Sequence, residues 1–207
     1  IEQKLQEAIS KHEEGKLDEA ENLYQCILEA QPMHLDALNN LGLLLHQLGK
    51  LADAEINCKK AIEIKLDFAE AHFNLGNILF TLNRLGEAEL SYKRVLELKP
   101  EHDKANNNLG VVLNQLNRLE EAIKSFKKAI TLNPTSNEFR KNFDETVAQN
   151  EMLLLNNKIS NSKKENITLD FNSLIFNRIV EKELISKLYE INSIEVGKPK
   201  DIRYGNG

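Results

Sequence analysis

The sequence repeats itself at a fixed step of 34 residues, and a period of that length restricts the chain to a stack of small, like-sized units. Residues 69–102 read AEAHFNLGNILFTLNRLGEAELSYKRVLELKPEH. Residues 35–68 (LDALNNLGLLLHQLGKLADAEINCKKAIEIKLDF) precede them in phase, and residues 103–136 (DKANNNLGVVLNQLNRLEEAIKSFKKAITLNPTS) follow. Residues 1–34 are a more divergent copy. One such unit cannot bury an apolar face alone, so its stability must come from neighbours laid against it.

Each shared place has a physical cause. Gly42, Gly76 and Gly110, with Ala8 in the first copy, stand 12 residues ahead of Ala20, Ala54, Ala88 and Ala122. Small residues at both places let two helices approach closely. Leu41, Leu75 and Leu109 precede the glycines, and Leu45, Leu79 and Leu113 follow one turn later, a spacing that predicts a buried helical stripe. Tyr24, Cys58, Tyr92 and Phe126 hold the matching place on the second helix. Gly15, Gly49, Asn83 and Asn117 lie between the helices and tolerate the left-handed conformation that closes a helix. Pro32, Pro100 and Pro134 end the second helices. Leu66 stands at that place in the second unit, where a less sharply set turn is expected.

The pattern L-G-x-x-L…A-x-x-x-(Y/F)…P on this period resembles the tetratricopeptide repeat and covers residues 1–136. The family's usual first-helix aromatic is missing, since that place holds Lys4, Leu38, His72 and Asn106. The resemblance implies an all-α fold, a right-handed α-α superhelix of four hairpins at residues 1–34, 35–68, 69–102 and 103–136. Glu7 falls where later units place Leu, as suits a terminal unit with one solvated face. Residues 137–155 restart the pattern with Phe139, Asn142, Phe143 and Val147, but Asp144 replaces the small residue. They are expected to form a capping helix over the last apolar face.

Residues 156–166 (NNKISNSKKEN), polar and aperiodic, read as a linker. Residues 167–207 are expected to be a C-terminal extension, with a strand or helix entry at 167–180 and a short amphipathic helix at 181–191 (EKELISKLYEI). They carry too little apolar surface to fold alone. Their sequence looks like the junction in marine bacterial proteins where tetratricopeptide repeats precede an iron- and 2-oxoglutarate-dependent oxygenase domain, although none of that family's metal ligands is present. The extension is therefore expected either to pack on the helical array or, as this likeness favours, to be the start of a truncated second domain, in a chain that opens on Ile rather than Met and reads as a fragment or processed piece.

Composition excludes several function classes. Aromatic residues are 6% of the chain and Trp is absent, so Leu, Ile, Ala and Val must build the core. Residues 1–136 hold 16 Lys/Arg against 21 Asp/Glu, and residues 137–207 hold 11 of each. Neither part is basic, so no nucleic-acid partner is expected. No apolar run approaches the roughly 18 residues of a membrane span. Cys26 and Cys58 read as small buried hydrophobes in a reducing compartment, which implies a cytoplasmic location. His12, His34, His46, His72 and His102 show no ligand spacing, so no metal and no cofactor are expected. No nucleophile–base pair or phosphate-binding loop occurs, so this chain is not expected to be an enzyme.

Asparagine carries the strongest functional pattern. Asn40, Asn74, Asn108 and Asn142 recur at the 34-residue step, one place before the stripe residue of each first helix. In a stacked array the first helices line the concave face, so equal places form a column along it. An amide offers both donors and acceptors and can pair with a peptide backbone without reading side chains. Asparagine ladders of this kind occur in the repeats of O-linked N-acetylglucosamine transferases, which these units resemble. The same amides could instead bond neighbouring helices. Asn39, Leu43 and His46, then Phe73, Asn77 and Phe80, then Asn107, Val111 and Asn114 share that face at helical spacing.

The inner face is thus mixed apolar and amide. A family clamp for acidic chaperone C-termini is not expected, because its first Lys and Asn places hold Leu5 and Ile9, Asn39 and Leu43, or Phe73 and Asn77. Only Lys104 is suitably basic. The reading is a monomeric interaction scaffold that binds a peptide or partner segment. The alternative is the substrate-recruiting arm of an oxygenase-like or glycosyltransferase-like enzyme whose catalytic domain is not in this chain.

Overall fold

A computed structural model describes residues 1–164. Every element among them is a helix: α1 Glu2–Glu13, α2 Leu17–Ala30, α3 Leu35–Gln47, α4 Leu51–Ile64, α5 Ala69–Thr81, α6 Leu85–Leu98, α7 Asp103–Gln115, α8 Leu119–Leu132 and α9 Asn137–Lys164. The expected strand or helix entry at 167–180, the helix at 181–191 and the oxygenase-like junction lie outside the described residues. One compact unit spans Ile1–Leu154, and a second spans Leu155–Gly207, of which only the end of α9 is described.

The helices pair as antiparallel hairpins, α1 with α2, α3 with α4, α5 with α6 and α7 with α8. Each second helix also packs on the first helix of the next hairpin. The first helices α1, α3, α5 and α7 touch one another in turn, whereas α2, α4, α6 and α8 do not. The array therefore bends with the first helices on its inner side.

Within each hairpin the chain reverses through a left-handed residue, with φ of 76° at Gly15, 74° at Gly49, 57° at Asn83 and 59° at Asn117. The amide after each one reaches back to a first-helix carbonyl, as Arg84 N does to Leu79 O at 2.8 Å. Between hairpins, Gln31, Lys65, Lys99 and Asn133 are extended, with φ of −138°, −140°, −134° and −136°. That is the conformation a following proline requires. Lys65 adopts it although Leu66 follows, so the less sharply set turn is not found. The Phe68 N–H to Lys65 carbonyl bond, 3.1 Å, closes this turn as its counterparts close the others.

The core runs through all four hairpins and is tightest where the small residues meet rings. A methyl group at Gly76 would lie 2.7 Å from the Tyr92 ring, and one at Gly110 2.7 Å from the Phe126 ring. Cys58 takes the ring place under Gly42 and is buried, and burial pushes its thiol up to about 12. Cys26 is only half-buried, contrary to expectation. Its Sγ accepts a hydrogen bond from Lys4 Nζ at 2.9 Å, because Lys4 occupies the place where an aromatic would have covered it. A smaller cluster of Leu38, Ala61 and Ala71 lies apart from the main core, flanked by Leu28, Leu35, Ile62 and Phe68.

Charge ties successive hairpins together outside the core. Lys50 pairs with Glu21, Arg84 with Glu55 and Arg118 with Glu89, each joining a second-helix entry to the preceding second helix at distances of 2.7–2.8 Å. The fifth restart is helical, and Phe139 and Thr146 are buried on it. It continues through Lys164, beyond the expected end at 155 and into the expected linker at 156–166. No Gly or Pro lies between Asn137 and Lys164 to stop it, and polarity alone does not break a helix.

Candidate functional site

The residues singled out by the asparagine pattern lie on α3, α5, α7 and the start of α9, and most of the polar ones are engaged with each other. Asn74 Nδ2 donates to Asn39 Oδ1 at 2.9 Å, and Asn39 Nδ2 donates to Asn40 Oδ1 at 3.2 Å. Asn40 in turn holds the Tyr24 hydroxyl, whose pKa burial pushes up to about 12. The same relay recurs two hairpins later. Asn142 Nδ2 donates to Asn107 Oδ1 at 2.9 Å, Asn107 Nδ2 to Asn108 Oδ1 at 3.2 Å and Asn108 Nδ2 to Asn77 Oδ1 at 3.0 Å. Tyr92 donates to that same Asn77 oxygen at 2.7 Å, and burial raises its pKa.

The matching place on the second helix differs from hairpin to hairpin. Where it holds Tyr24 or Tyr92, a hydroxyl reaches the neighbouring first-helix amides. Cys58 and Phe126 offer no hydroxyl, yet Asn74, Asn142 and also Asn108 each donate to an amide of the preceding hairpin. Asn39, Asn74 and Asn107 are 7%, 8% and 2% exposed, so their amides serve the interior far more than the groove. Within the asparagine column itself, Asn74, Asn108 and Asn142 each donate to an amide of the preceding hairpin. A buried amide must be satisfied, and here another amide satisfies it.

The next row outward is used in the same way. His46 Nε2 pairs with Thr81 Oγ1 at 2.9 Å, and His12 Nε2 with Gln47 Oε1 at 2.9 Å. Asn114 Nδ2 donates to Thr146 Oγ1 at 2.7 Å and to Gln149 Oε1 at 3.2 Å. Burial lowers the His46 pKa. Sequence reasoning missed Gln47, Thr81, Thr146 and Gln149. The signal for three of them is a polar residue 35 places after His12, His46 and Asn114.

Apolar side chains remain available on the inner face. Leu43, Phe73, Phe80 and Val111 are half-buried, and the last three rest on the core. Phe73 stacks on the His102 ring with centroids 4.8 Å apart and tilts against Tyr92 at 5.9 Å. His102 is itself fixed, because its Nδ1 caps α7 by accepting from Ala105 N at 3.1 Å. His34 caps α3 in the same way through Ala37 N, at 3.3 Å. A recess of about 300 Å³ opens beside Phe73, walled by Phe139, Asn107 and Asn108, with Lys104, Asn133 and Glu138 around it. Lys104 makes no ion pair among the described residues. No described group of His, Cys, Asp and Glu is placed to hold a metal ion. No described helix is long and apolar enough to cross a membrane.

Comparison with known proteins places this architecture. Two family models described as tetratricopeptide repeat match residues 34–101 and 73–137, and together they reach across half of the chain. Among solved structures, a crystal structure of MamA is 23% identical, with 71% of this chain and 96% of that one covered at a TM-score of 0.58. PilF of Pseudomonas aeruginosa is 19% identical, with 92% and 83% covered at a TM-score of 0.68. Both likenesses concern the fold. The first tetratricopeptide repeat domain of Spaghetti (RPAP3), solved with the HSP90 peptide SRMEEVD, is 30% identical, with 55% of this chain and 90% of that one covered at a TM-score of 0.54. No curated protein matches the sequence. Matching models along the middle hairpins, a relative covered over nine-tenths of its length and the stacked helical hairpins agree: the chain belongs to the tetratricopeptide repeat family.

Proposed function

We propose that this chain is a protein-interaction scaffold that holds a segment of a partner along the inner face of its first helices. The observation that carries the reading is the recess beside Phe73, where half-buried Phe73 and Asn108 meet Lys104, which makes no ion pair among the described residues. Leu43, Phe80 and Val111 extend the apolar contact to either side of it. The relays hold the groove in shape and leave single polar atoms over. Asn77 Nδ2 and Asn142 Oδ1 bond to no described protein group and can meet a peptide's carbonyl and amide.

The RPAP3 domain was solved with an acidic peptide. The present groove offers Phe73 and buried Asn39 at first-helix places where a clamp for such a terminus would need cations, so we assign it a ligand with apolar side chains and few charges. An extended ligand loses conformational freedom on binding, which sets the affinity at roughly micromolar. A peptide selected on the full chain from a random library tests the proposal. Phe73→Ser should weaken its binding about tenfold or more, while Leu90→Ser on the outer side should not. Equal binding to the Phe73 variant, with helicity retained, would remove the groove as the site.

A further inference from the structure

The turns between hairpins line one edge of the array, and the first two differ from the later ones. They border the smaller apolar cluster, where Leu28, Leu35, Ile62 and Phe68 are only partly covered. Met33 and Leu66 project from these turns at 71% and 70% exposure, and Ile64 ends α4 at 36%. At the later turns proline replaces Leu66, as Pro100 and Pro134, while Glu101 and Thr135 take the place of Met33. Exposed apolar surface of this size over a cluster that is itself incompletely covered marks a contact surface.

The charges around it are also unlike those of the later hairpins. Lys99 pairs with Glu70 at the head of α5, and Asn133 donates to Asp103 at the head of α7 at 3.0 Å. The matching places one hairpin earlier are Lys65 and Asp36, and that pair is not made. Lys65 Nζ instead lies 5.8 Å from the centre of the Phe68 ring. Asp36, Glu63 and Asp67 are consequently exposed carboxylates with no ion pair among the described residues. The edge is apolar at its centre, and its rim carries the carboxylates of Asp36, Glu63 and Asp67 beside the single charge of Lys65.

We infer that this edge is a second docking surface, separate from the groove, for a basic amphipathic helix of a partner protein. The helix's apolar stripe would cover Met33 and Leu66, and its Lys or Arg side chains would meet Asp36, Glu63 and Asp67. Helix ends and turns make this edge, so it has no strand to which an extended segment could add. A second copy of this chain is the poorer occupant, because two such edges placed face to face would oppose like charges.

The test titrates the full chain with a short amphipathic peptide of Leu and Lys, and with its Leu/Glu counterpart, while backbone amide shifts are followed by NMR. The Leu/Lys peptide should move amides of residues 31–38 and 61–68, weaken with added salt and bind while the Leu/Glu peptide does not. Met33→Ser with Leu66→Ser should weaken it about tenfold. Leu66→Pro should also weaken it while keeping the turn its sister units use. Leu90→Ser, on the outer side, should not. The inference is overturned if the shifts fall in the groove or spread over the chain, or if the variants bind as the parent does. It is also overturned if sedimentation shows a dimer that Met33→Ser dissolves, which would make a second copy the occupant. If a variant loses helicity, the shift map on the parent chain and its charge dependence decide alone.

Discussion

At Gly76 the ring of Tyr92 fills the space a side chain would need, and that ring is only 1% exposed and cannot withdraw. Gly76→Ala should therefore destabilise the fold by about 1–3 kcal/mol, read as a lower urea midpoint at unchanged slope. Gly86, in the first turn of α6, has nothing near its vacant position. Gly86→Ala should stabilise by about 0.5–1 kcal/mol, since only backbone entropy changes. A second residue-level effect depends on pH. His102 accepts the Ala105 N–H through Nδ1, which requires that nitrogen to be unprotonated. Burial holds its pKa below the usual value, with Asp103 and Glu70 opposing and Lys99 and Lys104 assisting. A histidine depressed in the folded state contributes stability that is complete above its unfolded value of about 6.5 and is lost as pH falls below it. His102→Asn keeps a capping residue without a titrating one. Its melting temperature should fall less than the parent's between about pH 7.5 and 5.5.

At the scale of elements, the inter-hairpin turns are set by backbone conformation more than by the residue that follows. Lys65 already has the geometry that precedes proline in the three sister turns. Leu66→Pro should therefore be accepted and raise stability by about 0.4–1 kcal/mol through the unfolded chain, measurable in a urea titration. The helices themselves were legible in the sequence because one spacing of Leu, Gly, Ala and Pro recurs in phase, so each copy corroborates the others. The end of α9 was not, since residues 156–164 have no copy and polar composition mimics a linker. The asparagine column was visible as a column, but its direction was hidden. Whether Asn74 faces solvent or Asn39 depends on how α3 and α5 pack, which no single unit records. Phe73 and Asn108, singled out in the sequence, both line the recess. The walls supplied by Asn133 and Glu138 were missed, because they come from a different hairpin boundary.

At the scale of the molecule, hairpins joined in series need not lose structure together. Arg118 is the clearest link, since its guanidinium grips Glu89 of the preceding hairpin and Glu121 of its own at 2.6–2.8 Å. Arg118→Ala should lower stability, read as a lower urea midpoint, because it leaves the mostly covered Glu89 with Lys93 alone. Hydrogen exchange should quicken in α7 and α8 and stay unchanged in α1 and α2. Uniform quickening would mean that the hairpins open as one body. Many links between hairpins span 35 residues, as in Asn39 to Asn74 and His46 to Thr81, or 29, as in Glu55 to Arg84 and Glu89 to Arg118, while Asn77 to Asn108 spans 31. A single inserted or deleted residue inside a hairpin would put every such bond crossing it out of phase at once. Relatives that keep these bonds can therefore differ widely in letters while having to preserve, without gaps, the count between them.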